Sequence, residues 1–227
     1  MTKKTNILPF PQMSKKSVNR EIFEMSINCM LKALKASDEY TYGHSLRVAY
    51  YSLALGKELG LPEDELYKLE VSALFHDIGK IGVPNKILNK PARLDENEFL
   101  VMKRHPEITA EILEGFKPFE EIAKFAKHHH ERFDGRGYPE GIKGEDIPYY
   151  SRIILIADTF DAMTSTRPYR KGLPYQTAFD ELNEFSGSQF DPNLVKHFIL
   201  AMTKENSKKE ETFSLHIING QFKKDAA

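Results

Sequence analysis

The sequence predicts an all-α domain, and three features carry that expectation. Apolar residues recur at helical spacing in one stretch after another. Prolines and glycines stand where those stretches start and stop. Strict alternation of apolar and polar residues occurs only near the C-terminal end, at Phe213, Leu215 and Ile217, where a short strand or extended arm is expected. No repeat or low-complexity tract breaks the pattern. One helical domain is therefore expected over residues 18–203, with an N-terminal tail at 1–17 and a charged linker and tail at 204–227.

The first helix starts at Val18. Ile22, Met25, Cys29 and Ala33 form its expected apolar stripe, widened by Leu31 and Leu34. The next runs from Thr41 to Leu59 and stops at Gly60. His44, Val48, Tyr51 and Leu55 share one face of it, so His44 points where the apolar residues point. Pro62 opens a third helix whose acidic first turn, Glu63-Asp64-Glu65, suits the helix dipole. Leu66, Leu69, Ala73 and His76 line its inner face, which places His76-Asp77 at a buried C-terminal end before Gly79 and Gly82 break the helix.

Val83 to Arg93 reads as a loop. Asp95 with Glu98 is a capping-box pair for a helix carrying Phe99 and Met102; His105 follows in phase, and Pro106 starts a new turn. Ile122, Phe125 and Ala126 build a further apolar face that reaches the run His128-His129-His130. Asp134 to Pro148, rich in glycine and charge, is a loop of the length that function tends to use. Tyr149 to Ser165 returns to helix, with Ile153, Ile154, Ala157 and Asp158 inward and Asp161 on the same face. The basic cluster Arg167, Arg170 and Lys171 comes next. Two last helices span Pro174 to Phe185 and Pro192 to Met202, the second with Asp191 as N-cap and with Lys196 and His197 on its solvated face.

Bulk properties exclude several classes. A net charge of -1 argues against a general binder of nucleic acid polymers. The one cysteine, Cys29, rules out an internal disulfide framework and fits a reducing, cytoplasmic setting. No apolar run approaches the roughly 20 residues that a membrane helix needs, and the N-terminal residues do not form a signal peptide.

The chemistry-bearing residues converge. A His-Asp pair at the end of an apolar helix is costly to bury unless a metal ion or a salt bridge takes it up. Of the eight histidines in the chain, His44, His76, His105, His129 and His130 sit at inward or element-end positions, with Asp77, Asp158 and Asp161 as carboxylates. That set is too large for one tetrahedral zinc and suits two adjacent octahedral ions, with one carboxylate bridging them. Such pairs clamp the attacking and leaving oxygens of a displacement at phosphorus, and nearby Lys80 and arginines would neutralise phosphoryl charge. Metal-assisted phosphoester hydrolysis is the reaction class that these residues support.

The order His44, His76-Asp77, Asp158 resembles the H…HD…D pattern of the HD phosphohydrolase superfamily. His76-Asp77-Ile78-Gly79-Lys80, with His129-His130-Glu131-Arg132-Phe133-Asp134-Gly135-Arg136-Gly137-Tyr138-Pro139, is similar to the two hallmark motifs of its HD-GYP subfamily. The resemblance covers roughly residues 20–203. It implies an HD-type helical bundle with a binuclear metal site and a bacterial phosphodiesterase that opens cyclic di-GMP to pGpG or GMP. By position, His44, His76, Asp77, His105, His129, His130 and Asp158 would be the metal ligands, with Asp77 bridging. Lys80 and Asp161 would assist a bridging hydroxide and the phosphate. Arg167 and Arg170 would hold phosphates, Asp38 would approach the ligand, and Tyr138 would shape the loop beside the site. His128, His197 and His216 match no ligand position. Tyr40 stands where some members carry a glutamate that recruits a third metal, so two divalent ions are expected. Iron or manganese is favoured, and zinc or nickel is also acceptable to such donors.

Two other readings stay open at this stage: a cyclic-dinucleotide receptor or scaffold with little turnover, and a hydrolase of another cyclic dinucleotide such as cyclic GMP-AMP. A homodimer or a regulatory protein partner would meet the chain through the helix around residues 18–36.

Overall fold

The computed structural model describes residues 15–166 and 171–207. Ten α-helices form among them: α1 (Lys15–Ser37), α2 (Glu39–Glu58), α3 (Glu63–Phe75), α4 (Asn85–Leu88), α5 (Glu96–Met102), α6 (His105–Glu114), α7 (Glu120–Lys127), α8 (Tyr149–Thr164), α9 (Tyr175–Glu184) and α10 (Pro192–Ser207). The described residues hold no strand beyond a single bridge between Ser186 and Phe190. The alternating segment at Phe213, Leu215 and Ile217, with His216, lies outside the described residues, as do Arg167 and Arg170.

α2 is the central rod, with α1, α3, α8 and α10 packed around it. Its start is fixed by Asp38, whose carboxylate accepts from the Tyr40 amide at 3.0 Å and so satisfies one of the orphan donors of the first turn. It ends where Gly60 takes a φ of 72°, a conformation that costs glycine nothing, and the chain reverses into α3. The core between these helices is built from Val48, Leu55, Leu69, Leu74, Phe75, Ile153, Ile154 and Phe198. Phe160 on α8 lies at its aromatic centre, with the rings of Tyr51, Tyr175 and Phe198 edge-on at 5.1, 4.9 and 5.1 Å.

α1 departs from the expected phase. Ile27, Leu31 and Leu34 face the core, whereas Ile22, Met25, Cys29 and Ala33 are exposed. Two apolar stripes run along this helix, and contact with α2 selects the one that contains the leucines. The helix also begins three residues earlier than expected, at Lys15, and α10 runs on to Ser207. The capping box at Asp95 and Glu98 forms as read, with the Glu98 amide donating to Asp95 and the Asp95 amide to Glu98, each at 2.9 Å. α5 nonetheless buries none of its residues, and Phe99 lies on the surface.

Candidate metal centre

The centre is assembled where α3 stops. After Phe75 the chain passes through His76 and Asp77 into a 3-10 turn at Ile78–Gly82, and α6 crosses directly against that turn. Thr109 on α6 ties the two together: its hydroxyl donates to the His76 carbonyl at 3.1 Å and accepts from the Gly79 amide at 2.9 Å. A Cβ at position 79 would stand 2.1 Å from the His105 carbonyl oxygen, so only glycine allows the approach. This contact brings His105, at the start of α6, beside Asp77. His129 and His130 come from the turn that ends α7, where the chain leaves helical geometry and their rings can sit 4.0 Å apart, centroid to centroid. His44 projects from α2, and Asp158 and Asp161 from α8.

Three of the histidines are oriented by one local rule. His76, His105 and His129 each lie at a helix boundary, and each Nδ1 bonds the carbonyl three residues back: Ala73 at 2.7 Å, Met102 at 2.7 Å and Ala126 at 2.6 Å. A carbonyl only accepts, so each Nδ1 carries the proton and each Nε2 turns a lone pair inward. His44 is held by Asp161, whose Oδ2 is 2.7 Å from its Nδ1.

Asp77 is the shared member. Its Oδ2 lies 3.6 Å from His44 Nε2 and 3.3 Å from His76 Nε2, while Oδ1 lies 3.2 Å from His105 Nε2 and 3.8 Å from His129 Nε2. Donor atoms of His44, His76 and Asp77 fall within 4.8 Å of one another, as do those of Asp77, His105, His129 and His130, and those of His76, His129 and Asp158. Asp158 Oδ1 is 3.1 Å from His44 Nε2. His76 Nε2 and Asp77 Oδ1 are buried and make no hydrogen bond, so a polar donor set is left without protein partners at the point where the groups meet. Such donors fit two divalent cations.

The electrostatics agree. Burial alone would raise the Asp77 carboxyl, but the Lys80 ammonium on its Oδ2 and the His76 ring hold it well below the usual range. Burial pushes His129 well below the ordinary histidine value and His130 to about 3, with neighbouring imidazoles adding to the effect, so both present neutral nitrogens. His44 goes the other way. Burial opposes its charge, yet hydrogen bonds to Asp158 and Asp161 raise it to about 9, so without metal a proton occupies the space between the two carboxylates.

Asp161 stands elsewhere than expected. One turn beyond Asp158, it lies behind the His44 ring, fully buried, with Arg47 Nε on Oδ1 at 2.6 Å, Arg47 Nη2 on Oδ2 at 3.0 Å and the Ser165 hydroxyl on Oδ1 at 2.9 Å. Its oxygens are taken up by positioning His44, not by a phosphate. Asp38 is engaged as the α2 cap, with the Thr41 hydroxyl on its second oxygen. Tyr138 stacks on His130 at 4.7 Å. His128 turns away from the centre, with Nδ1 on the Lys124 carbonyl at 2.8 Å and Nε2 3.3 Å from Glu140.

Two contributors, Arg47 and Thr109, escaped the sequence reading, and Glu131 was read only as part of a motif, without a role of its own. Arg47 lies three residues after His44, the spacing that puts it over the same partner on α8. Glu131 is buried and accepts from the amides of Glu140 and Gly141 at 2.7 and 3.0 Å, which folds the Asp134–Pro148 loop back over the site.

Comparison with known proteins accords with this geometry. The HD domain family model matches residues 28–194. The chain is 40% identical over 169 residues to 3'3'-cGAMP-specific phosphodiesterase 3 of Vibrio cholerae serotype O1, covering 74% of this chain and 37% of that protein. It is also 40% identical over 173 residues to a cyclic di-GMP phosphodiesterase of Pseudomonas aeruginosa, covering 76% of this chain and 42% of that one. The chain thus spans about two fifths of the length of these relatives. A crystal structure of a cyclic GMP-AMP-specific phosphodiesterase from V. cholerae superposes with a TM-score of 0.56 over 81% of this chain and 49% of the other, at 22% identity. The chain belongs to the HD domain family.

Proposed function

We propose that this chain is a metal-dependent phosphodiesterase that hydrolyses cyclic di-GMP to linear pGpG, and onward to GMP. The observation that carries the reading is the sharing of Asp77 between two sets of inward-facing imidazoles. Two divalent ions held there, iron or manganese in the first instance and zinc or nickel otherwise, would supply Lewis-acid activation of water and of the phosphoryl group.

The chain's own residues do the rest. His44, His76 and Asp158 would hold one ion and His105, His129 and His130 the other, with Asp77 common to both. Asp161 fixes the ring of His44 and Arg47 fixes Asp161, so the ligand geometry is set before substrate arrives. Lys80, buried on its Asp77 side and 24% exposed along the side chain, brings a positive charge to the edge where a phosphate would approach. Arg167 and Arg170 would clasp the second phosphate of a cyclic dinucleotide. Tyr138 walls the site against His130.

Relatives at the same 40% identity bear names for cyclic di-GMP and for 3'3'-cGAMP, so a cyclic GMP-AMP hydrolase is the second reading. No helix among the described residues is long and apolar enough to cross a membrane. A cytoplasmic setting, and contact of the exposed α1 face with a second copy or a regulatory protein, belong to the same proposal.

Chromatographic assay of cyclic di-GMP turnover in manganese or ferrous iron tests it. The wild-type chain should form pGpG or GMP, and Asp77→Ala should reduce the rate by at least about 10³-fold, since removing the shared carboxylate dismantles both sites. Undiminished turnover in that variant would exclude this centre as the site of the reaction.

A further inference from the structure

Phe99, Lys103 and Tyr138 form a shelf beside the centre that neither metal binding nor the loop fold accounts for. Phe99 and Lys103 are four residues apart at the end of α5, on one face. Phe99 is 46% exposed, on a helix that leads straight into His105. The Lys103 ammonium lies 4.8 Å from the Phe99 ring centroid and 5.2 Å from that of Tyr138. Among the described residues no ion pair takes up this ammonium; its neighbours are aromatic faces. Tyr138 in turn is stacked on His130, with an interplanar angle of 27°. A line of contacts thus runs from the metal centre through Tyr138 and Lys103 to an exposed aromatic ring.

We infer that Phe99 and Lys103 form a guanine-binding subsite, so that one base of the substrate lies on Phe99 while its phosphate reaches the centre. This rests on the phosphodiesterase reading, and it adds what that reading leaves open, the choice of base. An exposed aromatic face stacks on any purine. Discrimination comes from the ammonium, which only donates: guanine offers O6 and N7 as two acceptors on one edge, whereas adenine places the N6 amino donor beside N7 and would set donor against donor. Lys103 therefore determines base preference, and Phe99 contributes base affinity without preference.

Equilibrium binding of GMP and AMP to the full metal-loaded chain, measured by calorimetry, tests the subsite apart from turnover, because neither nucleotide is a phosphodiester. The wild-type chain should bind GMP about 10-fold more tightly than AMP. Lys103→Met, which keeps the alkyl stem over both rings, should abolish the preference; Phe99→Ala should weaken both nucleotides about equally, by roughly 10-fold. Manganese affinity, read by competition against a calibrated chelator, should stay within about twofold of wild type in both variants, because neither side chain is among the metal-site residues. Equal binding of GMP and AMP by the wild-type chain, no measurable binding of either, or an unchanged preference in Lys103→Met would each overturn the subsite. So would a parallel fall in manganese affinity, which would make Lys103 a prop for Tyr138 and His130. Parallel assay of cyclic di-GMP separates the two ideas. A GMP preference without dinucleotide turnover removes the proposed function and keeps the subsite; turnover without the preference does the reverse.

Discussion

At the scale of single residues, the centre is a set of imidazoles, four of which are oriented by what stands behind the ring. Three backbone carbonyls and one carboxylate do this, and the carboxylate is itself held by Arg47. Arg47→Gln should leave the ligands in place yet lower metal affinity about 10- to 100-fold, the usual cost of losing an outer-shell partner. Competition against a calibrated chelator reads that directly, and an unchanged affinity would mean that Asp161 holds His44 unaided. The opposed shifts of the histidines predict a stability maximum near pH 6.5 for the metal-free protein. His44, raised to about 9, contributes stability that is fully present below its ordinary value of 6.5 and lost as pH rises through 9. His129 and His130 are depressed, the latter to about 3; the unfolded chain binds their protons first, so stability falls as pH drops below 6.5. Thermal melts of metal-free protein from pH 5 to 9 should show this peak, and His44→Gln should flatten its alkaline side alone. The clustering of these histidines and aspartates was legible because such residues at inward helical phase have few other uses. Arg47 was not, because an arginine with part of its side chain at the surface gives no sign in sequence of a carboxylate 114 positions away.

At the scale of elements, helix ends do the work. His76, Asp77, His105, His129 and His130 sit just after α3, at the start of α6 and in the turn after α7, where side chains project from boundaries and carbonyls remain open to orient them; His44 and Asp158 come from within α2 and α8. The junction of α3 and α6 is the tightest of these. Gly79→Ala would drive a methyl group into the His105 carbonyl and the Thr109 amide, and α6 would have to move. A loss of about 1–3 kcal/mol in a denaturant melt is expected, together with weakened metal binding, since His105 moves with α6. A variant of wild-type stability would show that the junction has slack. Helix boundaries at Gly60, Pro62, Asp95 and Asp191 were readable in advance because these residues act locally, through caps and backbone angles; the cap at Asp38 was not read, and the helix was expected to start at Thr41. The facing of α1 was not, because a helix with Ile22, Met25, Cys29 and Ala33 on one side and Ile27, Leu31 and Leu34 on another carries no local signal of which stripe its neighbour will cover.

At the scale of the whole molecule, α2 organises both halves of the account. It carries core residues such as Val48 and Leu55 along with His44, so the apolar packing that stabilises the bundle also fixes one wall of the centre. The helices supply the other clustered side chains from positions far apart in sequence, as α8 does with Asp158 and with Asp161 behind His44. That convergence is a property of the packing, and for it the sequence offered only the family resemblance and the count of inward histidines. The central claim is that Asp77 is shared by two cations. Metal content per chain, measured by plasma mass spectrometry on protein purified anaerobically and compared with Asp77→Ala, tests it most directly. The account predicts two ions per wild-type chain and loss of both in the variant. A single ion per wild-type chain, or two that survive removal of Asp77, would contradict it.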